Sequence, residues 1–456
     1  MNIQNPLTTL TPQQDALIRL LAASYVRREH RFYHIDHPTE PMSQRDLQQS
    51  FMQTIAAELP DLPRDPQTLK PVFRIAIELQ HTDRQRTIPY WGGQIRSFPG
   101  NPARLIWNPS GSVTINSWKV PAYRKHGTNR ARLGRFGPLF RALFPRPRER
   151  RMVLDWVAWT LQNEDDRPAW ALLLYSRAKG TGKSTFCEVL RHLHGQENST
   201  TQNNVDNLVT RFNTQVLTSR LVICEELSLR SESKQSNALK TFITDSTVLS
   251  ERKGREAELL PLISCFVFTT NHLPTWLETG ERRYFVVQTD HDGHASGSRA
   301  AEFTNIIAGV YEALANPDEL AALYKALMKR RVAEDFNPKS LNTERDGTAI
   351  MKQLLGTTGE TVLDQLEEFL DSEGLNVIPQ IVVQEHVTKE LRQNGNRTRH
   401  MMQELGWTQH KVKWGGIDYA RVVWVKPGYH VADGSIIRPD GTTEPIGEHI
   451  QREAGL

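Results

Sequence analysis

The stretch Leu172-Leu173-Leu174-Tyr175-Ser176-Arg177-Ala178-Lys179-Gly180-Thr181-Gly182-Lys183-Ser184-Thr185 constrains this chain more than any other. The apolar run from Trp170 to Tyr175 suits a strand buried on both faces of a parallel sheet. Two closely spaced glycines then permit a tight turn, because glycine accepts positive φ. Lys183 and Ser184 open a helix in which Phe186, Val189, Leu190 and Leu193 recur at i, i+3, i+4 and i+7, and Gly195 ends it. Strand, glycine turn and helix in that order make a cradle for phosphates. Loop N–H groups point at the anion, and the helix start adds partial positive charge. The predicted nucleotide-binding set is Lys179, Gly180, Thr181, Gly182, Lys183, Ser184 and Thr185, with Lys183 on the β/γ-phosphates of ATP and the Ser184 hydroxyl on Mg²⁺. The usual pattern opens on glycine, where this chain has Arg177.

Two further apolar strands end in residues that nucleotide hydrolysis needs. Leu221-Val222-Ile223-Cys224 runs into Glu225 and Glu226. One carboxylate belongs near the metal and one must orient the attacking water, so Glu225 is assigned to the Mg²⁺ shell and Glu226 to the water. Leu262 to Thr270 runs into Asn271, an amide suited to holding that water against the γ-phosphate. Arg282 and Arg283 precede a third apolar run, Tyr284 to Val287, and either guanidinium suits a finger reaching a neighbouring subunit's ATP. Between the acidic and amide strands, Val248 to Arg255 reads as a hairpin with Lys253-Gly254-Arg255 at its tip. Arg252, Lys253 and Arg255 are the predicted grip on one DNA strand.

The chain has 456 residues, enough for several domains with their own cores. Its net charge is only +4, so contact with nucleic acid must come from local clusters rather than a global field. Cys187, Cys224 and Cys265 lie far apart in apolar segments, which excludes a disulfide framework and points to a reducing, cytoplasmic setting. No secretory signal is read at the start, and no apolar run approaches the ~20 residues a membrane helix needs.

The predicted organisation is a mixed α/β region over 1–123, a basic connecting segment over 124–149 and a nucleotide domain over 150–331. A polar linker over 332–359, a small domain over 360–430 and a loosely held tail over 431–456 follow. The basic segment interleaves arginines with Phe136, Phe140 and Phe144; the cations and rings suit a single-strand path and the rings' spacing suits the core face of a helix, two compatible readings because the arginines can take the opposite face. In 360–430, helix, turn, helix and a two-stranded ribbon follow in winged-helix order. Arg397 and Arg399 on the second helix and Lys411 and Lys413 on the ribbon are the predicted DNA contacts. The loop holding Asp290, His291, Asp292 and His294 reads as solvated.

Taken together, Gly180-Thr181-Gly182-Lys183-Ser184-Thr185, the Glu225-Glu226 strand end, Glu251-Arg252-Lys253-Gly254, Thr269-Thr270-Asn271 and Gly280-Glu281-Arg282-Arg283-Tyr284-Phe285 resemble the superfamily 3 helicases. The likeness is nearest to the helicase part of phage and plasmid primase–helicase proteins. It implies an α/β, P-loop NTPase (AAA+-like) parallel-sheet core with a mixed α+β N-terminal region and a C-terminal winged-helix-like domain. It also implies a self-assembled ring, often a hexamer, with Mg-ATP between subunits and single-stranded or forked DNA in the channel. Residues 1–123 show no acidic pair on a strand for primer synthesis, and whether a separate primase or polymerase is a partner stays open. Two alternatives stay open: an ATPase that loads or remodels a replication complex without unwinding, and a non-enzymatic origin-binding regulator.

Overall fold

The computed structural model describes residues 10–454, apart from 63–64, 79–82, 204, 210–217, 230–232, 251–257, 275, 278–280, 292–293, 359, 373–375, 392 and 416–417. Local signals set the N-terminal helices. Thr11 and Ser43 each close a capping box, one ahead of helix Pro12–Ser24 and the other ahead of helix Gln44–Glu58. Both helices pack on the meander Tyr25–Arg28, Arg31–His34 and His37–Met42, with Leu17, Leu21, Tyr25, Leu47, Phe51 and Ile55 buried between them. Helix Pro66–Phe73 adds Leu69, Val72 and Phe73 to that core. A second small sheet, Trp91–Arg96, Leu105–Trp107 and Val113–Asn116, follows. Buried Asn116 ties its loops, accepting from the Phe98 N–H at 2.9 Å and the Trp118 N–H at 3.0 Å.

The basic segment divides by face. Phe136, Phe140 and Phe144 are buried in the central core, and the last two meet Phe186 edge-on. Several arginines are spent on ion pairs: Arg124 with Glu164 at 2.7 Å, Arg146 with Glu149 at 3.2 Å, Arg148 with Asp346 at 3.6 Å and Arg151 with Asp335 at 3.1 Å. The phenylalanines thus form the core face of a helix and do not line a nucleic-acid path.

The centre is a mixed α/β unit built on a five-stranded sheet. Its strands are β1 (Ala171–Tyr175), β2 (Ser199–Gln202), β3 (Leu221–Cys224), β4 (Cys265–Thr270) and β5 (Tyr284–Gln288). All pairings are parallel, in the order β5-β1-β4-β3-β2. Every residue of β1, β3 and β4 is buried, as continuous apolar strands require. Helix α1 (Lys183–His194) follows β1, and helices Ala300–Leu314 and Pro317–Met328 follow β5. An antiparallel ribbon, Thr247–Ser250 against Glu258–Pro261, precedes β4; its tip, with Arg252, Lys253 and Arg255, lies outside the described residues.

Two segments differ from the sequence expectation. Residues 332–359, read as a linker, contain helix Ala349–Thr358, whose Ile350, Met351 and Leu354 join the central core. Their apolar side chains are diluted by polar neighbours, so no period stands out. Residues 431–456, read as a loose tail, hold most of strand His430–Ala432 together with strands Ser435–Ile437 and Thr443–Pro445 and helix Ile446–Ala454. Ile436, Ile446 and Ile450 cover one set of residues (Val377, Val412, Val423 and Val425) of a three-stranded sheet made of Val377–Pro379, Arg421–Val425 and Thr408–Val412. Ile378 and Trp424 of the same sheet instead pack with helices Glu360–Ser372, Gln380–Lys389 and Thr398–Glu404. Alternation along the strands serves two separate cores.

Candidate nucleotide-binding site

The candidate phosphate loop leaves the C-terminal end of β1. Gly180 and Gly182 have φ of 73° and 91°, and Gly182 is the N-cap of α1 with no side-chain cap on the helix N–H groups. A Cβ on Gly182 would lie 2.9 Å from Phe303 Cζ and 3.3 Å from Leu143 Cδ2, so glycine is needed there for space as well as angle. Arg177 is exposed and has no positive φ; the non-glycine residues described with positive φ are Glu29, Glu226 and Asp433. The loop therefore turns at that position without glycine.

Register brings the strand tips level. Tyr175 pairs with Thr270 and Gln288, so Ser176, Asn271 and Thr289 emerge side by side. The Lys183 ammonium donates to Asn271 Oδ1 at 2.8 Å and to Ser176 Oγ. Burial pulls the Lys183 pKa down, opposed by the charge of Asp290. Cys224 pairs with Phe268, which sets Glu225 and Glu226 beside Thr269 and Thr270. The Leu227 N–H donates to the Thr269 carbonyl at 2.7 Å and the Glu226 N–H to Thr269 Oγ1 at 3.4 Å, stitching the acidic turn to β4. Glu226 is exposed with φ of 55°, an arrangement that costs a non-glycine residue about 1–2 kcal/mol. Burial pushes the Cys187 thiol up, and the charge of Glu225 adds to that.

ATP and Mg²⁺ fit these residues. The uncapped N–H groups of α1, two left-handed glycines and a buried ammonium suit phosphate oxygens. No cluster of three metal-ligating side chains exists among the described residues. Mg²⁺ held by phosphates needs only one or two protein oxygens, and Ser184, exposed in the first turn of α1, with Glu225 is such a set. Lys179 is exposed on the loop, while Thr181 and Thr185 are buried beneath it.

Sequence reasoning passed over the supports of this loop. Thr181 Oγ1 donates to Ser176 Oγ at 3.0 Å and meets Thr289 Oγ1 at 3.3 Å. His294, expected in a solvated loop, is buried; its Nε2 lies 3.3 Å from the Thr181 carbonyl and its ring is edge-on to Phe303. Strand ends at Ser176 and Thr289 carry a signal in retrospect, but nothing near His294 marks it.

Not every predicted residue gathers here. Arg282 and Arg283 sit before β5, at the opposite end of the sheet; the Arg283 carbonyl accepts from the N–H of Ala171 at 2.8 Å, where β1 starts. Five residues of strand separate Arg283 from the Gln288 end, roughly 16 Å. Arg283 is tied to buried Glu281 at 3.1 Å, while Arg282 is exposed. Arg399, Lys411 and Lys413 are exposed, and Arg397 is half-buried, 3.4 Å from Gln393 Oε1. No helix among the described residues is long and apolar enough to cross a membrane, and all three cysteines are free and buried.

Residues 174–283 match the model of a family of unknown function, DUF5906. A curated relative, the DNA primase-polymerase of Nitratiruptor phage NrS-1, is 26% identical over 145 residues, 31% of this chain. The match covers 20% of that relative's length. The apo structure of the NrS-1 C-terminal region aligns with a TM-score of 0.51 at 16% identity, covering 91% of this chain and 100% of that one. Its A form aligns at 0.50 and 16%, covering 87% and 93%. At such identity the likeness is one of fold.

Proposed function

We propose that this chain is an ATP-dependent DNA helicase serving replication of a phage, plasmid or similar element. The observation that carries the reading is the 2.8 Å hydrogen bond from Lys183 Nζ to Asn271 Oδ1. It joins the phosphate-loop lysine to the amide at the tip of β4, two groups the chemistry requires in one pocket. In this reading bound ATP lies along the uncapped start of α1, and Lys183 turns from Asn271 to the β/γ-phosphates. Ser184 and Glu225 would hold Mg²⁺, which would neutralise phosphate charge. Glu226 orients and deprotonates water, and Asn271 aligns it. The replication setting is supported by similarity to the phage primase-polymerase.

Arg282 and Arg283 are too far along the sheet to serve their own subunit's phosphates. A ring of copies gives them a role in the neighbouring site. Arg282 suits that role better, because Arg283 is held by Glu281 and Arg282 forms no ion pair among the described residues. The Arg252, Lys253 and Arg255 tip and the Arg399, Lys411 and Lys413 surface are then the grips on DNA.

DNA-stimulated ATPase and fork unwinding test this together. Lys183→Ala and Glu226→Gln are expected to abolish turnover, and Lys253→Ala to lower unwinding more than basal ATPase. Wild-type turnover in either of the first two variants would overturn the site. Robust ATPase with no unwinding would favour a remodelling ATPase instead.

A further inference from the structure

The helices Gln44–Glu58 and Pro66–Phe73 flank a groove of about 570 Å³ that the nucleotide site does not use. Its lining is Arg45, Lys70 and Arg74, three glutamines (Gln44, Gln48 and Gln49), and an apolar floor that includes Met52, Leu69 and Phe73. No carboxylate lines it. Elsewhere in this region several cations are matched with acids: Arg19 and Arg86 with Asp15, and Arg104 and Lys119 with Asp36. Arg45, Lys70 and Arg74 are exposed and form no ion pair among the described residues.

The neighbouring acids are committed elsewhere. Asp46 takes the Ser43 N–H at 3.0 Å and the Ser43 hydroxyl at 2.7 Å as part of the helix cap. Asp65 takes the Thr68 N–H at 2.9 Å and its hydroxyl at 2.7 Å in the same way. Capping ties both carboxylates into hydrogen bonds, Asp46 keeping a through-space attraction to Arg45, and the three cations line one concavity. A second basic cavity, near Arg146, Arg148 and Arg151, differs in that each of these pairs with Glu149, Asp346 or Asp335.

We infer that this groove binds a segment of single-stranded nucleic acid. Its three cations, which form no ion pair among the described residues, suit backbone phosphates. Lys70 and Arg74 stand one helical turn apart, about 6 Å along the axis. Glutamine amides donate and accept at base edges, and the apolar floor takes the base faces that only an unpaired strand exposes. An acidic peptide would meet the cations but leaves three adjacent glutamines without complementary edges. The inference concerns a surface apart from the nucleotide site and stands whether or not that site hydrolyses ATP.

The test is anisotropy titration of the full chain with a labelled single-stranded oligonucleotide across a salt series. For single strands log K falls with log salt at about 0.7 per neutralised phosphate. The charge-reversed variant Arg45→Glu/Lys70→Glu/Arg74→Glu is expected to bind at least tenfold more weakly, with a salt slope shallower by about 2. Basal ATPase and the urea midpoint are expected to match wild type. Cross-linking a 5-iodouracil oligonucleotide to wild-type protein is expected to mark peptides within 44–52 or 66–74. Unchanged affinity and slope in the variant, with adducts confined to other segments, would overturn the groove while leaving the helicase reading intact. Equal competition by poly-glutamate at equal charge would assign the groove to an acidic protein and overturn it too.

Discussion

Gly180 and Gly182 both have left-handed backbones, yet alanine at the two positions should behave differently. At Gly180 the added Cβ meets nothing within 4 Å, so only the backbone angle is penalised, about 1–2 kcal/mol. At Gly182 the same penalty applies, and the Cβ also meets Phe303 Cζ at 2.9 Å, Leu143 Cδ2 at 3.3 Å and Leu139 Cδ1 at 3.6 Å. Those side chains belong to a packed core, where overpacking costs typically about 1–3 kcal/mol. Gly182→Ala should therefore lose about 2–5 kcal/mol and Gly180→Ala about 1–2 kcal/mol. Urea unfolding followed by tryptophan fluorescence measures the difference. A cycle with Phe303→Ala isolates its cause, because removing the ring relieves the clash and the two losses should not add, with a coupling of at least about 1 kcal/mol. Equal losses for the two glycine variants, or strict additivity with Phe303→Ala, would refute the argument that α1 is seated by this contact.

Arg124→Ala strands Glu164 with both side chains only about a tenth exposed, and should cost about 3–5 kcal/mol in chemical denaturation. Arg124→Lys should recover only part, because the two bonds to Glu164 at 2.9 and 2.7 Å need a forked donor. Burial, reinforced by Arg220 and Arg124, holds the His194 pKa well below the ordinary 6.5. The unfolded chain then takes up a proton near 6.5 that the folded chain refuses. Stability is full above that pH and falls by up to about 1.4 kcal/mol per unit below it. Urea midpoints between pH 7.5 and 5.5 should show a weaker decline in His194→Gln. Ile450→Ala removes a fully buried side chain from the cover over Val377, Val423 and Val425 and should cost about 2–5 kcal/mol. Amide exchange at Val423 and Val425 should accelerate accordingly; unchanged protection would mean the C-terminal helix is dispensable.

Much of the fold was written in local patterns. Apolar runs at 171–175, 221–224, 265–270 and 284–287 each became a strand of one sheet, because a strand buried on both faces has no need of polar residues. Thr11 and Ser43 fixed helix starts through bonds spanning three residues. The segments misread are those whose order depends on distant partners. Helix Ala349–Thr358 is held by the central core, and Ile446 and Ile450 are held by a sheet that begins at Val377.

For the candidate site, the sequence by itself determined the chemistry available: a glycine turn before Lys183 and Ser184, acids after β3, an amide after β4. It determined also that these groups stand at strand ends, since polar residues terminate each apolar run. Only the tertiary structure decided their company. Parallel register set Asn271 beside Ser176 and within reach of Lys183, and sent Arg282 and Arg283 to the far end of the sheet. It brought His294 under the loop as well. The physical reason is range: a turn or a cap is fixed by neighbours a few residues away, whereas which strand tips share a pocket depends on the order in which strands pair, and no local bond encodes that order.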